Sequence, residues 1–309
     1  MRDRVEYILA KALKYKATDI HFISNEKSMS IQFRTDTLIT IDSNFEDKRL
    51  IPFLQYLSNM DVGNQLTPQS GQFKFEVKNK KLDLRFATMY SRGQTNGVLR
   101  ILNPNTKITS INLLESVNNK NLFKDILDLQ CGLILISGPT SSGKTTTLYT
   151  ILKESNKKIY TIEDPVEIFV DSFFQLEVNL PQNLTYANGI KQILRHDPDI
   201  IMIGEIRDEE AANMAIRASL TGCLVFASIH ANDAVSTLYR LYELGVDEQL
   251  LMQTLKYVLN QRLIYDENYK RRAIYEILDE KKLHYYYTNK KLPRTHQDID
   301  KLLANQKKK

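Results

Sequence analysis

The stretch LILISGPTSSGKTTTLYTIL, residues 133–152, limits what this chain can fold into more than any other. Leu133 to Ile136 form an apolar run of strand length, and the residues after Lys144 read as a helix. Between them stand Gly138, four residues, Gly143, Lys144 and Thr145. A turn of this composition between a strand and a helix lets successive backbone N–H groups point at a phosphate. The helix start adds the positive end of its dipole. Gly138, Pro139, Thr140, Ser141, Ser142, Gly143, Lys144, Thr145 and Thr146 are therefore the expected phosphate-binding residues. Lys144 is placed to reach the β and γ oxygens of a nucleoside triphosphate, and Thr145 to offer its hydroxyl to Mg²⁺.

The surrounding sequence has a matching grammar. From about residue 119, a helical stretch (NLFKDILDL) precedes the strand CGLILIS, and strands then alternate with helices: KIYTIED, FFQLEV, DIIMIGE and CLVFASIH. Alternation of this kind predicts an α/β domain with a parallel sheet covered on both faces. Chemistry-bearing residues stand at the carboxyl ends of these strands: Glu163 and Asp164, then Glu205 and Arg207, then His230. In a parallel sheet such ends share one edge, where ligands bind. Taken singly, an acid at a strand end is ordinarily a helix cap or a solvated turn. Three clusters on the edge of one phosphate loop favour a shared site. Beyond residue 245 the chain reads as helices over EQLLMQTLKYVLNQRLI and a short strand pair around RRAIYEIL and LHYYYT.

Ahead of this region lies a different pattern. A helix is expected over residues 3–16, strands at DIHFIS and MSIQFRTDTLITID, and a second helix at DKRLIPFLQYLSNM. Alternating strands follow at SGQFKFEV, KKLDLRFATMY and GVLRIL. The division predicted is an N-terminal α+β domain over 1–104, a linker over 105–118, and the nucleotide domain over 119–309. With 42% hydrophobic and 26% charged residues among 309, both domains can bury a core. The net charge of +5 is concentrated in the lysines of the final NQKKK and argues weakly for any anionic partner. Cys131 and Cys223 stand far apart without a C-x-x-C pair, which argues against a zinc module. No apolar run is long enough to span a bilayer, and the first twenty residues lack a signal-peptide core. The expectation is a cytosolic protein, held at a membrane only by a partner.

An ordered series of motifs resembles the secretion-type ATPase superfamily, the motor ATPases of type II secretion, type IV pili and DNA-uptake machines. It runs from ATDIHF, IQFRTD, PQSGQF, DLRFAT and VLRIL to GPTSSGKTTTLY, IEDPVE, LRHDPDIIMIGEIRDEEAANMAIRASLTG, SIHANDA and NQRL. The resemblance implies a RecA-like P-loop NTPase domain with a smaller N-terminal α+β domain, assembled as a homo-oligomer, a hexamer. It also implies ATP and Mg²⁺. GPTSSGKT looks like the Walker A motif, IEDPVE like the Asp box, IIMIGE like an atypical Walker B and SIHANDA like the His box. On this basis Glu205 positions the attacking water, Glu163 assists at the metal, and His230 contacts the γ-phosphate. Thr145, Glu163 and Glu205 are the implied Mg²⁺ residues. Arg85 and Arg100 match arginines that such proteins bring to the phosphates, with Arg195, Arg207 and Arg217 as alternatives. The tetracysteine insert of many relatives is absent. The compact size resembles both pilus-retraction motors and competence ATPases, and the divergent, lysine- and asparagine-rich character with a short C-terminal segment tilts toward the competence ATPases that build a DNA-uptake pseudopilus. A pilus-retraction motor is the alternative, and a nucleic-acid-dependent NTPase the more distant one. The partner implied is a polytopic membrane platform protein at the cytoplasmic face of the cell membrane, with no direct nucleic-acid binding.

Overall fold

The computed structural model describes residues 1–25, 28–35, 39–42, 47–64, 66–102, 121–265, 271–293 and 296–306. The chain divides into two compact units, Met1–Thr106 and Lys107–Lys309. The segment 105–118, expected to be a linker, lies outside the described residues.

In the smaller unit, α1 (Arg2–Lys14) and α2 (Leu50–Leu57) accompany six antiparallel strands: β1 (Asp19–Ser24), β2 (Met29–Arg34), β3 (Ile39–Asp42), β4 (Gln69–Val77), β5 (Lys80–Ser91) and β6 (Gln94–Leu102). Their order is β3-β2-β1-β6-β5-β4. Val5, Ile8, Leu9 and Ala12 recur at helical spacing on α1. That stripe is buried with Ile20, Phe22, Phe33, Phe86 and Leu99, alternate residues of the strands. The expected strand MSIQFRTDTLITID folds back on itself as β2 and β3, with Arg34 opposite Ile39. The other face of the sheet carries a polar row. Arg34, Asp19, Arg100, Arg85 and Gln72 stand opposite one another on β2, β1, β6, β5 and β4.

In the larger unit, α3 (Leu122–Leu127) leads to β7 (Gly132–Ser137), α4 (Lys144–Lys153), β8 (Ile159–Glu163) and β9 (Phe174–Glu177). Next come α5 (Tyr186–Ile193), β10 (Ile200–Ile203), α6 (Glu209–Leu220), β11 (Leu224–Ile229), α7 (Ala234–Glu243) and α8 (Glu248–Thr254). The rest is β12 (Leu255–Tyr265), β13 (Arg271–Leu278), α9 (Glu280–Asn289) and α10 (Ile299–Gln306). The seven strands lie in the order β13-β12-β7-β11-β10-β8-β9, all parallel except the β12–β13 pair. Burial on both faces explains the uninterrupted apolar strands. Leu133, Leu135, Ile201, Ile203 and Val225 face the core shared with α5 to α9, whereas Ile134, Ile136, Met202 and Phe226 face the core shared with α3 and α4.

Two expectations for the last quarter fail. The helical stretch anticipated over residues 248–264 stops at Thr254, and Leu255–Tyr265 is the strand β12. Leu251, Leu255, Val258 and Leu259 are all buried. Their spacing mimics a helical stripe, but a bulge between Leu255 and Tyr257 resets the strand alternation. The open edge of β7 takes this segment as its partner, and pairing overrides the local period. LHYYYT, expected to be a strand, lies in helix α9. Asp279 caps that helix by accepting from the Lys282 N–H at 2.9 Å. Leu283, Tyr286 and Tyr287 form its buried stripe.

Phe226 is fully buried in the middle of the larger sheet. Phe226→Ala should lower the stability of the larger unit by about 3–5 kcal/mol, measured by chemical denaturation. A loss below about 1 kcal/mol would mean that the site repacks at little cost.

Candidate active site

The phosphate loop is built by glycines where side chains cannot fit. Gly138 has φ +146°, and a Cβ there would lie 2.5 Å from the Gln261 carbonyl oxygen. Gly143 is the left-handed residue that starts α4, with φ +86° and no side-chain cap. The first N–H groups of α4 are therefore left for a ligand. Lys144, buried to 8% exposure, donates from Nζ to the carbonyls of Gly138 at 3.0 Å and Pro139 at 3.1 Å. Burial lowers its pKa, while the Glu205 carboxylate pulls it back up. Thr140, Ser141, Lys144 and Thr145 line a cavity of about 310 Å³. Thr146, in the first turn of α4, does not line it.

The acids and the imidazole converge on the same cavity because their strands end in step. Ile203 on β10 pairs with Ile162 on β8 and Ala227 on β11, so Glu163, Glu205 and His230 all emerge at one edge. His230 Nε2 lies 3.2 Å from Glu205 Oε1. Arg207 donates from Nε to Glu205 Oε2 at 2.9 Å and from Nη1 to Asp164 Oδ2 at 3.1 Å. Arg207 thus belongs to the charge cluster. Asp208 instead starts the next helix, accepting from the Ala211 N–H at 2.8 Å. Arg195 precedes β10 and Arg217 ends α6, which puts both at the opposite edge of the sheet.

Glu163 is held differently from Glu205. It is 2% exposed, and its Oε1 accepts from Tyr149 Oη at 2.6 Å, Thr161 Oγ1 at 2.6 Å and Gln175 Nε2 at 3.4 Å. Burial pushes its pKa above the usual carboxylate range, against the pull of those three donors. The same burial pushes the Tyr149 phenol upward.

Arg85 and Arg100 are in the smaller unit, side by side across β5 and β6. Arg100 donates from Nε to the buried Asp19 Oδ1 at 2.7 Å.

Three further residues shape the site and were given no role by sequence reasoning. Gln261 on β12 donates from Nε2 to the Ser142 carbonyl at 2.6 Å, bracing the loop. Asn260 donates from Nδ2 to Ser137 Oγ at 3.0 Å and to the Ala231 carbonyl at 3.1 Å. Arg262 donates to the Asn232 carbonyl. The signal was the NQRL stretch, but only the adjacency of β12 and β7 shows what it touches.

A parallel sheet with a glycine-built phosphate loop and acids on its carboxyl edge defines a P-loop ATPase fold. Comparison with known proteins agrees. The family model "Type II/IV secretion system protein" matches residues 2–300. The chain is 35% identical over 301 residues to "Competence protein ComGA" of Bacillus subtilis, covering 89% of this chain and 84% of that protein. It is 37% identical over 267 residues to "Type II secretion system ATPase E" of Vibrio cholerae, covering 84% of this chain and 53% of that one. The chain thus spans about half the length of several type II relatives. Among solved structures it is similar to the pilus retraction motor PilT with bound ADP, with TM-score 0.70, 26% identity, and 92% and 88% of the two chains covered. The Legionella pneumophila ATPase DotB shares the fold, with TM-score 0.69 at 22% identity over 91% and 81% of the chains. The chain belongs to the type II/IV secretion system protein family.

The raised pKa of Glu163 has a consequence for stability. A carboxyl whose folded pKa exceeds its unfolded value stabilises the fold fully below that unfolded value and loses the contribution as pH rises through the folded one. Glu163→Gln cannot ionise. Its melting temperature relative to the unchanged protein should therefore climb as pH is raised from about 5 to 8, followed by thermal denaturation. A difference that stays flat or falls across this range would contradict the assignment.

Proposed function

We propose that the chain is an ATP-hydrolysing motor of a type II secretion or type IV pilus-like machine. The observation that carries this reading is the convergence of Lys144, Thr145, Glu205 and His230 on one cavity. The oxygen donors there, the Thr145 hydroxyl with the Glu205 and Glu163 carboxylates, suit a hard divalent cation. Those residues would hold Mg²⁺, which would neutralise phosphate charge when bound.

The remaining steps belong to this chain's own groups. The loop N–H groups and the α4 terminus hold the β-phosphate, and Lys144 leaves its carbonyl partners to bind β and γ oxygens. Glu205 orients the water that attacks the γ-phosphorus, in line with the departing ADP oxygen. Arg207 fixes the second Glu205 oxygen, so the carboxylate presents one edge to that water. His230, against Oε1, contacts the γ-phosphate side. The same reading gives Arg85 and Arg100 the task of countering the charge that develops on the γ-phosphate.

Within the family we propose assembly of a competence pseudopilus for DNA uptake. The support is the ComGA likeness, which extends over most of both chains. The motor would work as a homo-oligomer, a hexamer, at the cytoplasmic face of the membrane, on a polytopic platform protein and without binding nucleic acid directly. Among the described residues no helix is long and apolar enough to cross a membrane. The PilT likeness favours a second reading, a pilus-retraction ATPase. A deletion strain separates them: loss of DNA uptake with surface motility intact supports the first, and the reverse supports the second.

Lys144→Ala should abolish measurable ATP binding. Glu205→Gln should bind ATP normally and hydrolyse it about 10²- to 10⁴-fold more slowly. Equilibrium binding and steady-state phosphate release check both. Full hydrolysis by either variant would end this reading.

A further inference from the structure

Four residues after His230, the backbone meets a buried carboxylate that the phosphate chemistry leaves unused. Glu276 on β13 is 2% exposed. Its Oε2 accepts from the Ala234 backbone N–H at 3.1 Å. Its Oε1 lies 2.8 Å from Nε2 of His296, which is also buried. A carboxylate taken out of water needs a partner for each oxygen, and Glu276 has both.

The Ala234 contact falls at a particular place. Ala234 is the first residue of α7, and the first N–H groups of a helix have no partner within it. Asp233 caps the Ser236 N–H at 2.6 Å. Glu276 takes the Ala234 N–H, four residues after His230. The intervening segment is held at the Ala231 carbonyl by Asn260 and at the Asn232 carbonyl by Arg262. Glu276 adds the hold at the point where the loop becomes helix. The His230 side chain is 47% exposed, so its place 3.2 Å from Glu205 depends on how firmly its backbone is fixed. On the far side, His296 leads into α10, which packs on β12 and β13 with Ile299 buried.

We propose that Glu276 is a positioning residue for His230, and that the C-terminal segment, through His296, holds Glu276 in place. The catalytic part of this inference rests on the ATPase reading above. The link gives the C-terminal segment a physical route to the site: displacing His296 frees one oxygen of Glu276 and loosens its grip on the start of α7.

The test uses the full chain and the variants Glu276→Leu, Glu276→Gln and His296→Leu. Glu276→Leu should lower kcat about 10- to 100-fold while KM and ATP affinity stay within about twofold. Glu276→Gln should keep kcat within about twofold, because the amide oxygen still accepts from Ala234 and the amide nitrogen donates to His296 Nε2 once the imidazole carries its proton on Nδ1. His296→Leu should lower kcat by an intermediate amount. Hydrogen exchange of the segment 229–236 gives a second readout that needs no activity. Exchange should quicken in Glu276→Leu and His296→Leu and stay slow in Glu276→Gln. The proposal is overturned if folded Glu276→Leu or His296→Leu keeps the parent kcat and exchange, or if Glu276→Gln is as impaired as Glu276→Leu. If Glu276→Leu does not fold, the other two variants decide. If the parent protein hydrolyses no ATP, the ATPase reading fails, and exchange alone still decides whether Glu276 fixes the loop.

Discussion

A helix start that must leave its N–H groups unpaired governs the larger unit. Gly143 enters α4 from a left-handed conformation without a side-chain cap. Unpaired buried donors are costly, so a bare helix start persists only where a ligand or a surrounding frame compensates. The frame here is explicit. Gln261 holds the loop at the Ser142 carbonyl, and Ser137 Oγ accepts from both Asn260 and Thr237. β7 is thereby fixed from β12 on one side and α7 on the other. Both holds meet at the last residue of β7, where the strand passes into the loop.

Electrostatics divides the two glutamates that the sheet brings to this loop. Glu163 is buried under three donors and its proton affinity is raised, whereas Glu205 stays at the cavity wall among Arg207 and His230. One carboxylate is locked by neutral hydrogen bonds, and the other is aimed by charges. That contrast supports the proposal that Glu205 faces the attacking water and Glu163 assists it.

Much of this was legible in the sequence because each local signal agreed with its neighbours. The apolar strands, the spacing of Gly138, Gly143 and Lys144, and the strand-end residues Glu163, Glu205 and His230 all pointed to one edge. The signals failed at two elements, one of them for want of a distant pairing partner. Leu251, Leu255, Val258 and Leu259 imitate a helix, and nothing local says that β7 needs a neighbour. The three tyrosines of LHYYYT suggest a strand, yet the Asp279 cap and the buried stripe make α9. The roles of Asn260, Gln261 and Glu276 are not legible locally, because each acts on a residue more than 25 positions away. Such contacts follow from sheet order, which no single stretch encodes.

We propose that the phosphate loop and Glu205 grip one nucleotide from two sides. A crystal structure of the chain with Mg²⁺ and a non-hydrolysable ATP analogue tests it most directly. Lys144 Nζ is expected to have left the Gly138 and Pro139 carbonyls for a γ-phosphate oxygen at about 2.7–3.2 Å, with a water between Glu205 and the γ-phosphorus. An analogue bound with its phosphates away from residues 138–145, or with Glu205 turned from the γ-phosphate, would contradict it.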